Sequence, residues 1–251
     1  MKSIGFLLFV LCLLPIGVSA QNANQASDNQ VKNGYYHEKA ANKTSDAGIY
    51  VNGEKDGAWA NYNNKGLIRG VVEYKMGVKD GLELEFDRQG YVSKEQRFVD
   101  GKLNGEYREY LRGNYILIQA NYLNGELEGE YVRYYSDKPS AKMEESFYKN
   151  GVKDGKSTFF AQNGRAIAEY SYKDGLFDGV NRTFYDTGAV KTEETYVNDV
   201  LQGEYREFFQ DGRTVKVRGM YENGQKEGIW YEYDSKGDII SKTKYKNGEA
   251  K

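Results

Sequence analysis

The chain has little of what most active sites are built from. Cysteine and histidine each occur once, at Cys12 and His37, and tryptophan and proline occur twice each in 251 residues. Cys12 lies inside the apolar run from Ile4 to Val18, so beyond that run the sequence can form neither a disulfide nor a thiolate metal site. The lone histidine, His37, sits in a polar stretch that reads as exposed linker, which argues against a Cys-His or Ser-His nucleophile pair. Charge of one sign is also missing: 35 basic residues face 37 acidic ones, well mixed, which leaves no basic face for nucleic acid or anionic lipid. After the first twenty residues there is no apolar run long enough to span a bilayer and no sustained 3.6-residue apolar period. Amphipathic helices and an integral membrane span are therefore not expected.

The first twenty residues are a segment of their own. Lys2 gives a positive start, residues 4–18 are almost wholly apolar, and Val18-Ser19-Ala20 is a small-residue cleavage site before Gln21. This is the pattern of a secretory signal peptide over residues 1–20, and it predicts an exported protein, periplasmic or secreted. The run is short for an uncleaved anchor, and Cys12 is misplaced for a lipoprotein. Removing the segment takes away one lysine and no acid, leaving 34 bases against 37 acids, a formal charge of −3. Residues 21–47, rich in Asn, Gln, Ser, Ala and Lys, read as a flexible polar spacer.

What is abundant is glycine, 29 residues, and almost every one obeys a period of about 24 from residue 48 to 251. Each unit opens on an aromatic: Tyr50, Tyr74, Phe98, Tyr122, Tyr148, Tyr172, Tyr196 and Tyr221, with Tyr245 opening a truncated ninth. A turn glycine follows after three residues (Gly53, Gly77, Gly101) and another four later (Gly57, Gly81, Gly105). Five further on stands a second aromatic, such as Tyr62, Phe86 or Tyr110. Asn-Gly and Asp-Gly at 52–53, 100–101, 124–125, 150–151, 174–175, 223–224 and 247–248 are type I′ hairpin signals, and four-residue loops such as Asn63-Asn64-Lys65-Gly66 close the other end. Two strands of about eight residues and two turns use up the period. The expected fold is all-β: an elongated, twisted antiparallel β-meander of about eight 24-residue two-strand repeats.

Register can be estimated from the turns. Gly57, Trp59, Ile68, Val72 and Tyr74 are placed on one face, and Ala58, Ala60, Tyr62, Leu67 and Val71 on the other. The mid-strand glycine is expected to leave room for an aromatic from a neighbouring strand. Asn114, Asp199 and Lys138-Pro139 interrupt the glycine pattern, and the unit holding Pro139 is two residues longer than the others.

Candidate chemistry is sparse. Glu83 and Glu85 alternate with Leu82, Leu84 and Phe86, as on a solvated strand face, and neither they nor Glu193/Glu194 offer the unlike pair that glycoside hydrolysis needs. The Lys-Asp-Gly turns hold one acid each, often beside a lysine, too few oxygens for calcium. The glycines are spaced as turns and never lead into a helix, so no phosphate loop is present. No catalytic residue, metal or cofactor is expected. The candidate partner-binding residues lie two past the strand glycine: Trp59, Tyr107, Tyr131, Tyr205 and Trp230, with Glu83, Ser157 and Asn181 in the same slot elsewhere. Exposed, they would form a stripe for a protein partner or for stacking on sugar rings; buried, they would hold the sheet together.

Units such as Tyr172-Lys-Asp-Gly175-Leu-Phe-Asp-Gly179, followed by Phe184-Tyr-Asp-Thr-Gly188, resemble the MORN repeat, and specifically the bacterial MORN-variant class filed as antitoxins of the YwqK type. The resemblance covers about residues 48–251. It implies a non-catalytic β-meander that acts as a protein-interaction scaffold, and the antitoxin filing implies a partner that is bound and neutralised. The function expected is an exported scaffold for protein–protein interaction, antitoxin- or immunity-like in its specialised form. The alternative is a glycan or cell-wall binding module, which requires Trp59 and Trp230 to be solvent-accessible.

Overall fold

The computed structural model describes residues 31–251; the predicted signal segment and residues 21–30 of the spacer lie outside the described residues. Among the described residues there is no helix, and 22 strands form one open antiparallel sheet in meander order, several of its long strands being interrupted at the strand glycine. The fold is the expected elongated β-meander. A unit is a hairpin such as Glu54–Tyr62 followed by Ile68–Lys75.

The turns explain the hairpins. Asn52 (φ 53°) and Gly53 (φ 86°) both adopt positive φ, as a type I′ turn demands. Asp100, Asn124, Asn150, Asp174, Asn223 and Asn247 repeat the geometry with φ between 49° and 54°. In the exception, Asn198-Asp199, both residues take positive φ without a glycine, using the tolerance of Asn and Asp for this region. Each turn is also tied to the unit before it. The Gly53 N–H donates to the Lys32 carbonyl at 2.8 Å, Gly77 to Lys55 at 2.8 Å and Gly101 to Lys79 at 2.8 Å. The side chains before the strand glycines add a second tie. Asp56, Asp154 and Asp178 accept from the backbone N–H of Met76 (3.3 Å), Asp174 (3.1 Å) and Asn198 (3.4 Å) in the next turn. These carboxylates are turn acceptors, which is the part they play in the Lys-Asp-Gly segments and in Phe177-Asp178-Gly179.

The strand glycines have a different cause from the one the sequence suggested. Pairing runs Val72 to Glu83 and resumes at Tyr74 to Lys79, so Glu73 alone faces residues 80–82. The extra residues are absorbed at Gly81 (φ 116°), and the same slot holds positive φ in every unit, from 70° at Gly57 and Gly228 upward. Glycine is needed there for backbone conformation at a bulge. The close approach of an aromatic occurs at other glycines. A Cβ on Gly48 would overlap the Trp59 indole, and one on Gly219 the Trp230 indole.

The sheet also begins earlier than residue 48. Gly34–Lys39 is a strand paired with Ser45–Val51, with Gly34 opposite Tyr50 as Gly57 is opposite Tyr74. Gly34 (φ 95°) is thus a strand glycine and Tyr36 occupies the slot of Trp59. The described part of the predicted spacer is therefore a further unit. Its spacing of 23 and its polar composition hid it, because pairing to Ser45–Val51, not its own hydrophobicity, places it in the sheet.

Beyond the central pairs a bulge recurs in each hairpin from Glu54 onward. Asn61 pairs with Gly70 and Tyr62 with Ile68, leaving Arg69 as the extra residue. This moves Ile68 opposite Tyr62 and off the face of Trp59 on which the alternation had placed it, since one added residue reverses the side-chain parity. The second aromatics consequently meet apolar partners on the opposite face: Phe86 faces Val92, Tyr110 faces Ile116, Phe184 faces Val190 and Phe208 faces Val215. The long loop of the unit holding Pro139 is tied down as well. Tyr135 Oη donates to the Phe160 carbonyl at 2.7 Å and Lys138 Nζ to the Gln162 carbonyl at 2.9 Å.

Candidate functional site

Register places the five predicted residues on one line across the sheet. Each faces the residue two before a unit's opening aromatic: Trp59 and Val72, Glu83 and Gln96, Tyr107 and Ala120, Tyr131 and Ser146. The line continues with Ser157 and Tyr170, Asn181 and Glu194, Tyr205 and Gly219, Trp230 and Thr243. The structure thus brings all five together as a row, interleaved with facing residues that were not among the candidate partner contacts. Their own spacing of 24 to 26 residues (Gly48, Val72, Gln96, Ala120, Ser146, Tyr170, Glu194, Gly219) was the signal available.

The row is the core of this single-layer sheet. Trp59 keeps 2% of its surface exposed and Trp230 5%. Each indole lies over a glycine, Gly48 or Gly219, and donates its N–H to the next carbonyl, Ile49 at 3.0 Å or Met220 at 3.2 Å. The accessible tryptophans that the glycan reading requires are absent from this arrangement. Tyr107, Tyr131 and Tyr205 are half-buried and edge onto Tyr122, Tyr148 and Tyr221 with ring centroids 5.4, 5.6 and 5.9 Å apart. Aromatic pairs of this kind add roughly 0.5–1.5 kcal/mol each beyond the area they bury.

Variable occupancy of the slot follows from complementary volume. Where the first strand has Tyr107 or Tyr131 the second has Ala120 or Ser146; where the first has Ser157 the second has Tyr170. Ser146 and Ser157 are fully buried, Ser146 donating to Glu144 at 2.8 Å while Ser157 Oγ has no partner. Glu83 is buried too, 8% exposed, and holds Lys79 at 2.8 Å and Gln96 at 2.6 Å, so it is not on the solvated face that the alternation with leucine implied. Glu193 and Glu194 point to opposite faces. Glu193 binds Arg182 at 2.7 Å and Arg206 at 3.5 Å, while Glu194 joins the row, so the two do not act on one bond.

Five residues past each opening aromatic lies a second informative slot. Lys55, Lys79, Lys153 and Lys226 fill it in some units and Leu103, Leu127, Phe177 and Leu201 in the others. The lysines lie over aromatic rings: Lys55 Nζ is 4.1 Å from the Trp59 ring and Lys226 Nζ 4.1 Å from that of Trp230, both in the row, while Lys153 Nζ is 5.3 Å from the opening aromatic Tyr172. Three of them also bind a carboxylate, Lys55 with Asp46 at 3.4 Å, Lys79 with Glu83 and Lys153 with Glu144 at 2.7 Å. Burial pushes the phenols of Tyr148, Tyr196 and Tyr205 up to about 12, with nearby glutamates adding to the shift.

Two shallow grooves flank the row, one of about 540 Å³ lined by Phe209, Lys216, Glu232, Tyr233 and Ile240, the other of about 380 Å³ lined by Asn61, Arg69, Glu83 and Glu85. Among the described residues no group of three or more His, Cys, Asp or Glu is placed to hold a metal, and no helix is long and apolar enough to cross a membrane. No protein-family model matches the chain, and no curated protein matches it.

Proposed function

We propose that this protein is an exported, non-enzymatic repeat scaffold of the MORN-variant kind that binds a protein partner through the face carrying the tyrosine row. The observation that carries the reading is a line of half-buried tyrosines running along an open sheet that no other layer covers among the described residues. Rings held in place by their neighbours offer wide, rigid contact area at low entropic cost, with a hydroxyl at each tip for orientation. Tyr107, Tyr131 and Tyr205 remain the partner-facing residues, and Trp59 and Trp230 serve by fixing the rings around them. An antitoxin- or immunity-like role, in which one partner is blocked, is the specialised form of the same reading.

Affinity capture by the mature protein from envelope and secreted fractions tests it. One stoichiometric protein partner, lost when Tyr107, Tyr131 and Tyr205 are changed together to serine, is the expected result. Retention on purified cell wall with no protein captured overturns it.

A further inference from the structure

In several units the slot lysine completes a small ionic site made by the sheet. Lys79 sits 4.8 Å from the Phe98 ring and binds Glu83; Lys153 lies over Phe159 and Tyr172 and binds Glu144. Each is an ammonium group between aromatic faces and a carboxylate, an arrangement that favours cations because ring quadrupole and carboxylate act in the same direction. At one place a carboxylate stands among aromatic rings and the slot holds no lysine. Glu194 is in the row, half-buried, opposite Tyr205 on one side and Asn181 on the other. The slot residue beside it is Leu201, paired with Tyr196.

The walls around Glu194 are aromatic on both sides. Tyr196 packs on Phe177 with centroids 5.3 Å apart, and Phe177 on Tyr170 at 5.3 Å. Across the carboxylate, Tyr205 stacks on Trp230 at 5.4 Å and edges onto Tyr221. Glu194 accepts one hydrogen bond, from Tyr196 Oη at 2.9 Å. Among the described residues it forms no salt bridge with any lysine or arginine. Arg182 and Arg206 are committed to Glu193 on the opposite face, Lys216 to Glu207, and Lys226 lies over Trp230 and Tyr245. The charge is therefore held in an aromatic surround with no cation from the described chain beside it, unlike the carboxylates of Glu83 and Glu144.

We propose that Glu194, walled by Tyr196, Tyr205 and Tyr221, receives a lysine or arginine side chain presented by the partner protein, pairing with it among aromatic rings as Lys79 and Lys153 pair with Glu83 and Glu144 from within the chain. The inference rests on the scaffold reading and assigns that face a partner with an exposed cationic side chain. Half-burial of Glu194 leaves it open to the face, and the rings shield the pair from water without closing over it.

The two tryptophans supply an internal control, since Trp230 stacks on Tyr205 and Trp59 lies at the other end of the row. The full chain, labelled with ¹⁵N, is titrated with a flexible Gly/Ser peptide carrying one arginine, with its glutamine counterpart, and with methylguanidinium. The expected result is a saturable shift of the Trp230 indole resonance with the arginine peptide alone and none at Trp59. Glu194→Gln should weaken binding by about tenfold or more, as loss of a partly desolvated charge pair does. Leu201→Lys, which supplies the lysine from within, should block binding in a protein at least as heat-stable as the parent. Equal shifts at both tryptophans, unchanged binding by Glu194→Gln, or preference for methylguanidinium over the peptide would each overturn the proposal. Capture of the same partner at full stoichiometry by the Glu194→Gln variant would also overturn it while leaving the scaffold reading intact. Failure of the parent protein to capture any partner would remove the scaffold reading, and with it this one.

Discussion

The row is built differently near its ends and at its centre. At Trp59 and at Trp230 the same small device recurs: an indole over a glycine, its N–H on the following carbonyl, a lysine 4.1 Å above the ring and a tyrosine edge-on at 4.8 or 5.1 Å. Between them the slot holds Ser157 and Asn181, with the bulk moved to Tyr170 on the facing strand. The ends gain stability by burying one large ring each; the centre gains it by matching small residues to large ones across a strand pair. An indole buried over glycine leaves no surface for a partner, whereas half-buried tyrosines around small polar residues do. On the proposed scaffold reading, contact with a partner would fall in the middle and the last third of the row, with the tryptophans giving mechanical support.

Raising the pH should have the largest effect, because it acts on many units and spares the tryptophans. Phenols whose folded pKa is raised above the ordinary value of about 10 contribute stability that is complete below that pH and is lost as pH rises through the folded value. Tyr148, Tyr196 and Tyr205, pushed up to about 12, set the window between about 10 and about 12. Absorbance at 295 nm should show delayed tyrosinate formation that coincides with loss of the circular dichroism signal of the sheet. Tyrosinate that forms early, with the sheet intact, would show that the central rings are not held.

Next in size are the end devices themselves. Trp230→Ala or Trp59→Ala should cost about 3–5 kcal/mol in urea unfolding, as for other buried large-to-small changes, and Gly219→Ala should also destabilise because its methyl would overlap the Trp230 indole. Ser157→Tyr at the centre should cost about 1–3 kcal/mol, since Tyr170 already fills the space. Adding Tyr170→Ser should recover most of that loss; a double mutant as unstable as the sum of its parts would mean that volume is not what couples the pair. The smallest effect is expected for Lys226→Met, which removes a cation over an indole but keeps the aliphatic stem, at about 0.5–1 kcal/mol by thermal melting.

Much of the fold was legible because its causes are local. Asn52-Gly53 and its counterparts specify a type I′ hairpin from two residues, and their spacing specifies the unit. Errors arose where a cause lay on another strand. Ile68 changes face because of one extra residue at Arg69, and Gly34–Lys39 joins the sheet through pairing with Ser45–Val51. Glu83, which by alternation should be solvated, is buried because Lys79 and Gln96 converge on it. The candidate residues were placed on one line correctly, but whether each was core or surface depended on what faced it, and the same period holds a glycine opposite one aromatic and a serine opposite another.

The sequence by itself determined that the chain is a meander of two-strand units, because positive φ at an Asn-Gly turn and bulk at every twelfth or so residue are properties of short segments. Only the tertiary structure decided which rings are core, where the bulges shift the pairing, and that Glu194 stands among aromatics without a lysine. Burial and charge pairing are settled by residues on adjacent strands, separated in sequence by a turn or a whole repeat, and no single segment carries that information.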